Sequence, residues 1–183
     1  MDELIDIYNE NGQFIEQNMK SIAHKNGLWH KSIHSFLINS KNEIIIQKRS
    51  KDKDLYPGKW DMSFAGHISA GENALNSVIR ECYEELGINL AKNEIEYIFS
   101  FKDTHIFNKI INNEFVDVFI CHKEFTLDNI KKQDEEVDDV KIIPLKDYIS
   151  MLENNNKSLV PHQEENKLII PILYNILNSN SKN

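Results

Sequence analysis

At 183 residues, 40% hydrophobic and 27% charged, the chain has enough material for one buried core and is short for two domains. A formal net charge of -8 and a pI near 5.4 argue against a nucleic-acid polymer as partner, since such binders present a basic face. No apolar run approaches the roughly 18 residues of a membrane helix, and Met1-Asp2-Glu3-Leu4 is not a basic leader, so a cytoplasmic protein with no membrane partner is expected.

In chain order, Ile5 to Tyr8 alternates and is closed by Asn9 to Gly12, which predicts a strand and a turn. Phe14 to Ala23 reads as a helical or extended link within an N-terminal extension covering residues 1–28. His30 to Ile38 and Glu43 to Lys48 flank the polar turn Asn39 to Asn42 and predict a hairpin. Lys48 to Asp54, followed by Pro57-Gly58, is too polar and turn-rich for core and reads as an exposed loop. Asn73 to Leu86 carries Leu75, Val78, Ile79, Cys82 and Leu86 at helical spacing, with Asn73 placed to cap the start and Gly87 to end it.

Strands are expected at Ile95 to Phe101, Glu114 to Cys121 and Val137 to Ile143, then helices at Leu145 to Glu153 and Gln163 to Leu177, with a frayed tail from Asn178. Cys82 and Cys121 sit in apolar-patterned segments without CxxC or zinc spacing and read as reduced core thiols. The order of elements implies an α/β or α+β fold, a mixed sheet between helices, in a single domain over residues 1–183.

Glu81, Glu84 and Glu85 stand at i, i+3 and i+4, which predicts three carboxylates on the helix face opposite Val78 and Cys82. On a solvated helix such a cluster is only an acidic face. In a partly buried site their repulsion requires a cation, and oxygen donors at this density suit Mg²⁺, with Mn²⁺ as a substitute.

The string from Gly66 through Glu72 and Arg80-Glu81-Cys82-Tyr83-Glu84-Glu85-Leu86-Gly87-Ile88 closely resembles the Nudix box, GX5EX7REUXEEXGU with U aliphatic. Gly66, Glu72, Arg80, Glu81, Glu84, Glu85 and Gly87 match the fixed positions and Ile88 the last U, while Cys82 replaces the first. Cys behaves as a small hydrophobe there. The resemblance implies an α/β/α sandwich in which Glu81, Glu84 and Glu85 hold the metal, Gly66 offers its carbonyl, and Arg80 orients the carboxylates by pairing with Glu72. It implies hydrolysis of a phosphate-anhydride bond in a small diphosphate compound of the nucleoside diphosphate-X type, with Glu84 or Glu85 as the base.

Outside the box, His30 to Ile38, Lys48-Arg49 through Pro57 to Asp61, and Ala65-Gly66-His67 resemble the isopentenyl-diphosphate-isomerase branch of Nudix proteins, a similarity covering about Ile5 to Pro144. The isomerase has a proton-transferring Cys where this chain has Ala65, and a methyl moves no proton. Its second group, a Glu, corresponds to Glu114, and its metal-binding His residues to His24, His30 and His67, with the spacing of the first two shorter by one. The lost Cys favours an isomerase-like hydrolase over isomerisation. A non-catalytic diphosphate sensor would have damaged carboxylates, and Glu81, Glu84 and Glu85 are intact.

Lys48, Arg49, Lys53 and Lys59 flank the expected mouth and, with His67, are candidates for substrate phosphates. Trp60 is either core or a stacking surface. Glu114 and Asp117 open a strand that faces the metal in this reading, and Glu136, in the acidic run Asp134 to Glu136, is a candidate extra base. The terminal helices offer a surface for a homodimer.

Overall fold

A computed structural model describes residues 2–108 and 110–180. Strand β1 (Leu4–Tyr8) pairs antiparallel with β2 (Phe14–Met19), which continues into helix α1 (Lys20–Asn26), so the Phe14 to Ala23 link is extended first and helical after. Gly27 ends α1 at φ 62, a left-handed conformation that favours glycine.

Strands β3 (Trp29–Ile38) and β4 (Glu43–Arg49) are joined by the expected turn, where Asn39 Oδ1 accepts from the Lys41 and Glu43 amides. The hairpin opens after one pair, Ile38 with Ile44. Segment 60–67 enters the gap. Its strand β5 (Trp60–Asp61) pairs with β4 and β6 (Phe64–His67) with β3, and between them Ser63 Oγ accepts from the Leu37 amide at 2.8 Å and donates to the Ile45 carbonyl at 2.6 Å. One buried hydroxyl thereby satisfies a donor and an acceptor that the hairpin ladder has given up.

Strand β7 (Ile95–Phe107) pairs antiparallel with β8 (Ile110–His122), which runs parallel to β3, and β9 (Val137–Pro144) pairs antiparallel with β4. Strands β7 and β8 each reach beyond the expected Phe101 and Glu114, because the polar residues between those limits alternate along a two-stranded ribbon.

Helix α2 (Ala74–Leu86) starts at Asn73, whose Oδ1 accepts from the Asn76 amide at 3.0 Å, and ends at Gly87, φ 69. Its residues Val78, Cys82 and Leu86 pack with Ile33, Leu37, Ile45 and Phe64 on one side of the sheet. On the other side α3 (Leu145–Glu153) and α4 (Gln163–Asn180) bring Tyr148, Ile149, Ile169 and Leu173 against Phe36, Ile46 and Val118. Helix α4 runs on past Leu177 to Asn180, where a frayed tail was expected; residues 181–183 lie outside the described residues. The architecture is a mixed sheet between helical layers. Among the described residues no helix is long and apolar enough to cross a membrane.

Candidate active site

Strand β6 leads through a short loop into α2, and this connection brings Gly66 against Glu81. A Cβ on residue 66 would lie 2.1 Å from the Glu81 carboxyl carbon, so the close approach requires glycine. Arg80 gathers the surrounding acids. Its guanidinium donates to Glu72 Oε2 at 3.0 Å, Glu81 Oε1 at 2.7 Å, Glu84 Oε2 at 3.0 Å and the His67 carbonyl at 2.9 Å. Ser77 Oγ adds a 2.7 Å donation to Glu72.

The three box carboxylates are not equivalent. Glu81 and Glu85 belong to the buried stripe of α2 with Ser77, Val78 and Cys82, whereas the Glu84 side chain is 48% exposed. The expectation of three carboxylates opposite Val78 and Cys82 is therefore corrected: successive helical residues turn by about 100°, so Glu81 and Glu85 fall on the buried side of the helix and Glu84 stands outside it. Gln47 Nε2 donates to Glu85 Oε2 at 2.7 Å. Burial, then Glu85, pushes the Glu81 carboxyl upward, and burial raises that of Glu85. Paired buried carboxylates at this cost, all oxygen donors, suit a hard divalent cation.

Glu81, Glu84 and Glu85 line a cavity of about 420 Å³ that Arg49 and Lys53 line as well. Arg49 donates to the Leu55 carbonyl and to Asp61 Oδ2, and Lys53 is ion-paired with Glu136.

The cavity also reaches His67, whose Nε2 lies 3.3 Å from His24 Nε2 and 3.7 Å from Glu114 Oε1. His30 joins them. Its Nδ1 lies 2.9 Å from the Leu28 carbonyl, an acceptor that fixes the proton on that nitrogen and leaves Nε2 facing Glu114 at 3.7 Å. Burial first, and then neighbouring imidazoles, drives His24 down to about 4 and His67 well below its ordinary value, so these two rings are neutral and can offer lone pairs to a metal.

The sequence candidates Gly66, His67, Arg80, Glu81, Glu84, Glu85, Arg49, Lys53, Glu114 and Glu136 all line this cavity, and Lys48 and Lys59 do not. Lys48 falls on the strand face opposite Gln47, and Lys59 Nζ is taken up by the Lys157 and Leu159 carbonyls at 2.9 and 3.3 Å. Asp117 bonds Ser100 on the far side of β8, and Trp60 packs against the core beneath Lys141. Sequence reasoning missed His34, Asp61, His105 and His162, which also line the cavity. A signal existed in β3, where His30, Ser32 and His34 recur at period two and so share one face of the strand.

The model of the NUDIX domain matches residues 28–163. The chain is 40% identical over 146 residues to "Nudix hydrolase 3" of Arabidopsis thaliana, covering 76% of this chain but only 19% of that longer protein. It is 30% identical over 161 residues to isopentenyl-diphosphate Delta-isomerase 1 of Photorhabdus laumondii, covering 87% of this chain and 89% of the isomerase. Among solved structures, DR0079 from Deinococcus radiodurans superposes with a TM-score of 0.69 at 18% identity, over 90% of this chain and 98% of that one, which speaks to the fold alone. With the family model spanning most of its length and Gly66, Arg80, Glu81, Glu84 and Glu85 of the box lining the cavity, the chain belongs to the Nudix hydrolase family.

Proposed function

We propose that the protein hydrolyses a phosphate-anhydride bond in a small diphosphate compound, with a divalent cation held by Glu81, Glu84 and Glu85. The observation that carries this reading is one cavity lined both by the carboxylates Glu81, Glu84 and Glu85 and by the cationic side chains Arg49 and Lys53. A diphosphate with its cation matches both sets of groups at once.

When bound, Mg²⁺ supplies charge neutralisation on the phosphoryl oxygens and acidifies water. Arg49 and Lys53 hold the diphosphate oxygens, and Lys53 leaves Glu136 to do so. Glu136, released at the rim, accepts the proton of the attacking water. The new P–O bond forms as the bridging P–O bond breaks, and the proton on Glu136 returns to solvent or product. Arg80 fixes Glu81 and Glu84 through its hydrogen bonds. Gln47 does the same for Glu85.

A second reading is isomerase chemistry on a carbon diphosphate, favoured by the His24, His30, His67 and Glu114 cluster, whose ligand atoms would hold a second cation. Ala65 weighs against it. Both cysteines are buried and neither lines the cavity, so no thiol replaces the missing proton carrier.

The test is product release from nucleoside diphosphates and triphosphates, nucleotide sugars and isopentenyl diphosphate, with Mg²⁺, Mn²⁺ or EDTA. Hydrolysis that needs metal and is abolished in Glu84→Gln supports the proposal. Double-bond migration of isopentenyl diphosphate without hydrolysis overturns it in favour of the isomerase.

A further inference from the structure

On the α4 side of the cavity lies a second cluster, separate from the box carboxylates and from His24, His30 and His67. We propose that His34, His162 and Glu165 form a binding site for a divalent transition-metal ion. His34 comes from β3, His162 directly precedes α4, and Glu165 lies in its first turn. His34 Nδ1 is 2.9 Å from Glu165 Oε2, and His162 Nδ1 is 3.9 Å from the same oxygen. Ligand bonds of about 2.0–2.2 Å at tetrahedral angles place donor atoms about 3.4 Å apart, a value these two distances bracket.

The second line of argument is hydrogen bonding. Glu165 is 1% exposed, yet among the described residues its Oε1 has no hydrogen-bond partner, and neither has the buried His162 Nδ1. Orphaned buried atoms are costly, and two on adjoining side chains of one cluster point to a shared ligand. A plain His34–Glu165 ion pair accounts for Oε2 alone.

The orientation of His162 agrees. Its Nε2 lies 3.0 Å from the buried Asp61 Oδ1, which makes Nε2 the donor to that carboxylate and leaves Nδ1 as the nitrogen on the Glu165 side. A carboxylate behind a histidine is the arrangement that steers and strengthens a metal-binding imidazole. Asp61 is itself held by Arg49, 3.3 Å away.

Two imidazoles and one carboxylate favour a borderline ion such as Zn²⁺, Co²⁺ or Fe²⁺ over Mg²⁺. Three protein ligands leave a fourth position for water or a substrate oxygen. His34 and His162 both line the cavity that the box carboxylates also line.

The experiment is metal stoichiometry on the full chain, stripped with chelator and reloaded with Zn²⁺ in excess Mg²⁺. The starting variant is His24→Ala/His67→Ala, which removes the other histidine cluster. One equivalent of Zn²⁺ is expected there, and His162→Ala added to it loses that equivalent while circular dichroism stays unchanged. Equal zinc content with and without His162→Ala, or no zinc in the starting variant, overturns the proposal. Should the variants fail to fold, anomalous scattering at the zinc edge from wild-type crystals decides: a peak among His34, His162 and Glu165 is expected, and its absence there rejects the site.

Discussion

The Glu81 carboxyl group fills the space that any side chain on residue 66 would need, the built Cβ lying 2.1 Å from its carboxyl carbon. Backbone on one element and acid on another are therefore fitted to each other. Gly66→Ala is expected to turn Glu81 away and weaken Mn²⁺ binding roughly 10–100-fold, the range seen when a metal ligand loses its support. Electron paramagnetic resonance of free Mn²⁺ measures this, and an unchanged dissociation constant would show that Glu81 does not bind the ion.

Gln47 is the side-chain donor to Glu85, at 2.7 Å, and both are buried. Gln47→Leu keeps the volume and removes the donor. Metal affinity should fall roughly 10–100-fold with the fold intact. Calorimetric titration with Mg²⁺ reads the change, and wild-type affinity would count against any role for Gln47 in positioning Glu85.

Lys53 lines the cavity, and Lys59 is spent on two backbone carbonyls outside it. Lys53→Ala should lower kcat/KM roughly 10–100-fold, as expected for a lost charge-assisted hydrogen bond, while Lys59→Ala stays within about twofold. Steady-state kinetics on the best substrate of the panel separates the two, and equal losses would show that Lys53 does not hold the diphosphate.

Ser63 bridges Leu37 and Ile45 where β3 and β4 part. Ser63→Ala leaves a buried amide and a buried carbonyl unpaired, at about 1–3 kcal/mol. The melting temperature should fall by several degrees, and a variant as stable as wild type would mean that the strands can close over the gap.

Burial pushes the Cys121 thiol up to about 12, and burial, then Cys121, pushes Cys82 higher still. Both are neutral thiols at pH 8, where only a thiolate would react. A disulfide reagent at that pH should titrate no thiol in the native protein and two after denaturation. Rapid native reaction would contradict the buried placement of both.

The box was legible because its chemistry is local: Arg80, Glu81, Glu84 and Glu85 lie on one helix, whose start and end Asn73 and Gly87 announce. The sheet was legible strand by strand, through alternation. Pairing partners were not, since β5 and β6 are two and four residues long and bond to different strands, which no local pattern records. The direction of Lys48 turned on one strand residue, and sequence proximity to Arg49 could not reveal it. The meeting of His34 with Glu165 spans 131 positions, and only packing of α4 on β3 brings them together.

Segment 60–67, wedged between β3 and β4, makes part of the cavity floor out of strand backbone. Such a floor keeps its form whatever the rim loops carry. Loops such as 50–59 and 130–136 can lengthen, shorten or exchange residues without moving Gly66 against Glu81. Loop exchange between this chain and its relatives is thus a route to new substrates, and to new partners for Lys53 and Glu136, over an unchanged seat for the Glu81 carboxylate.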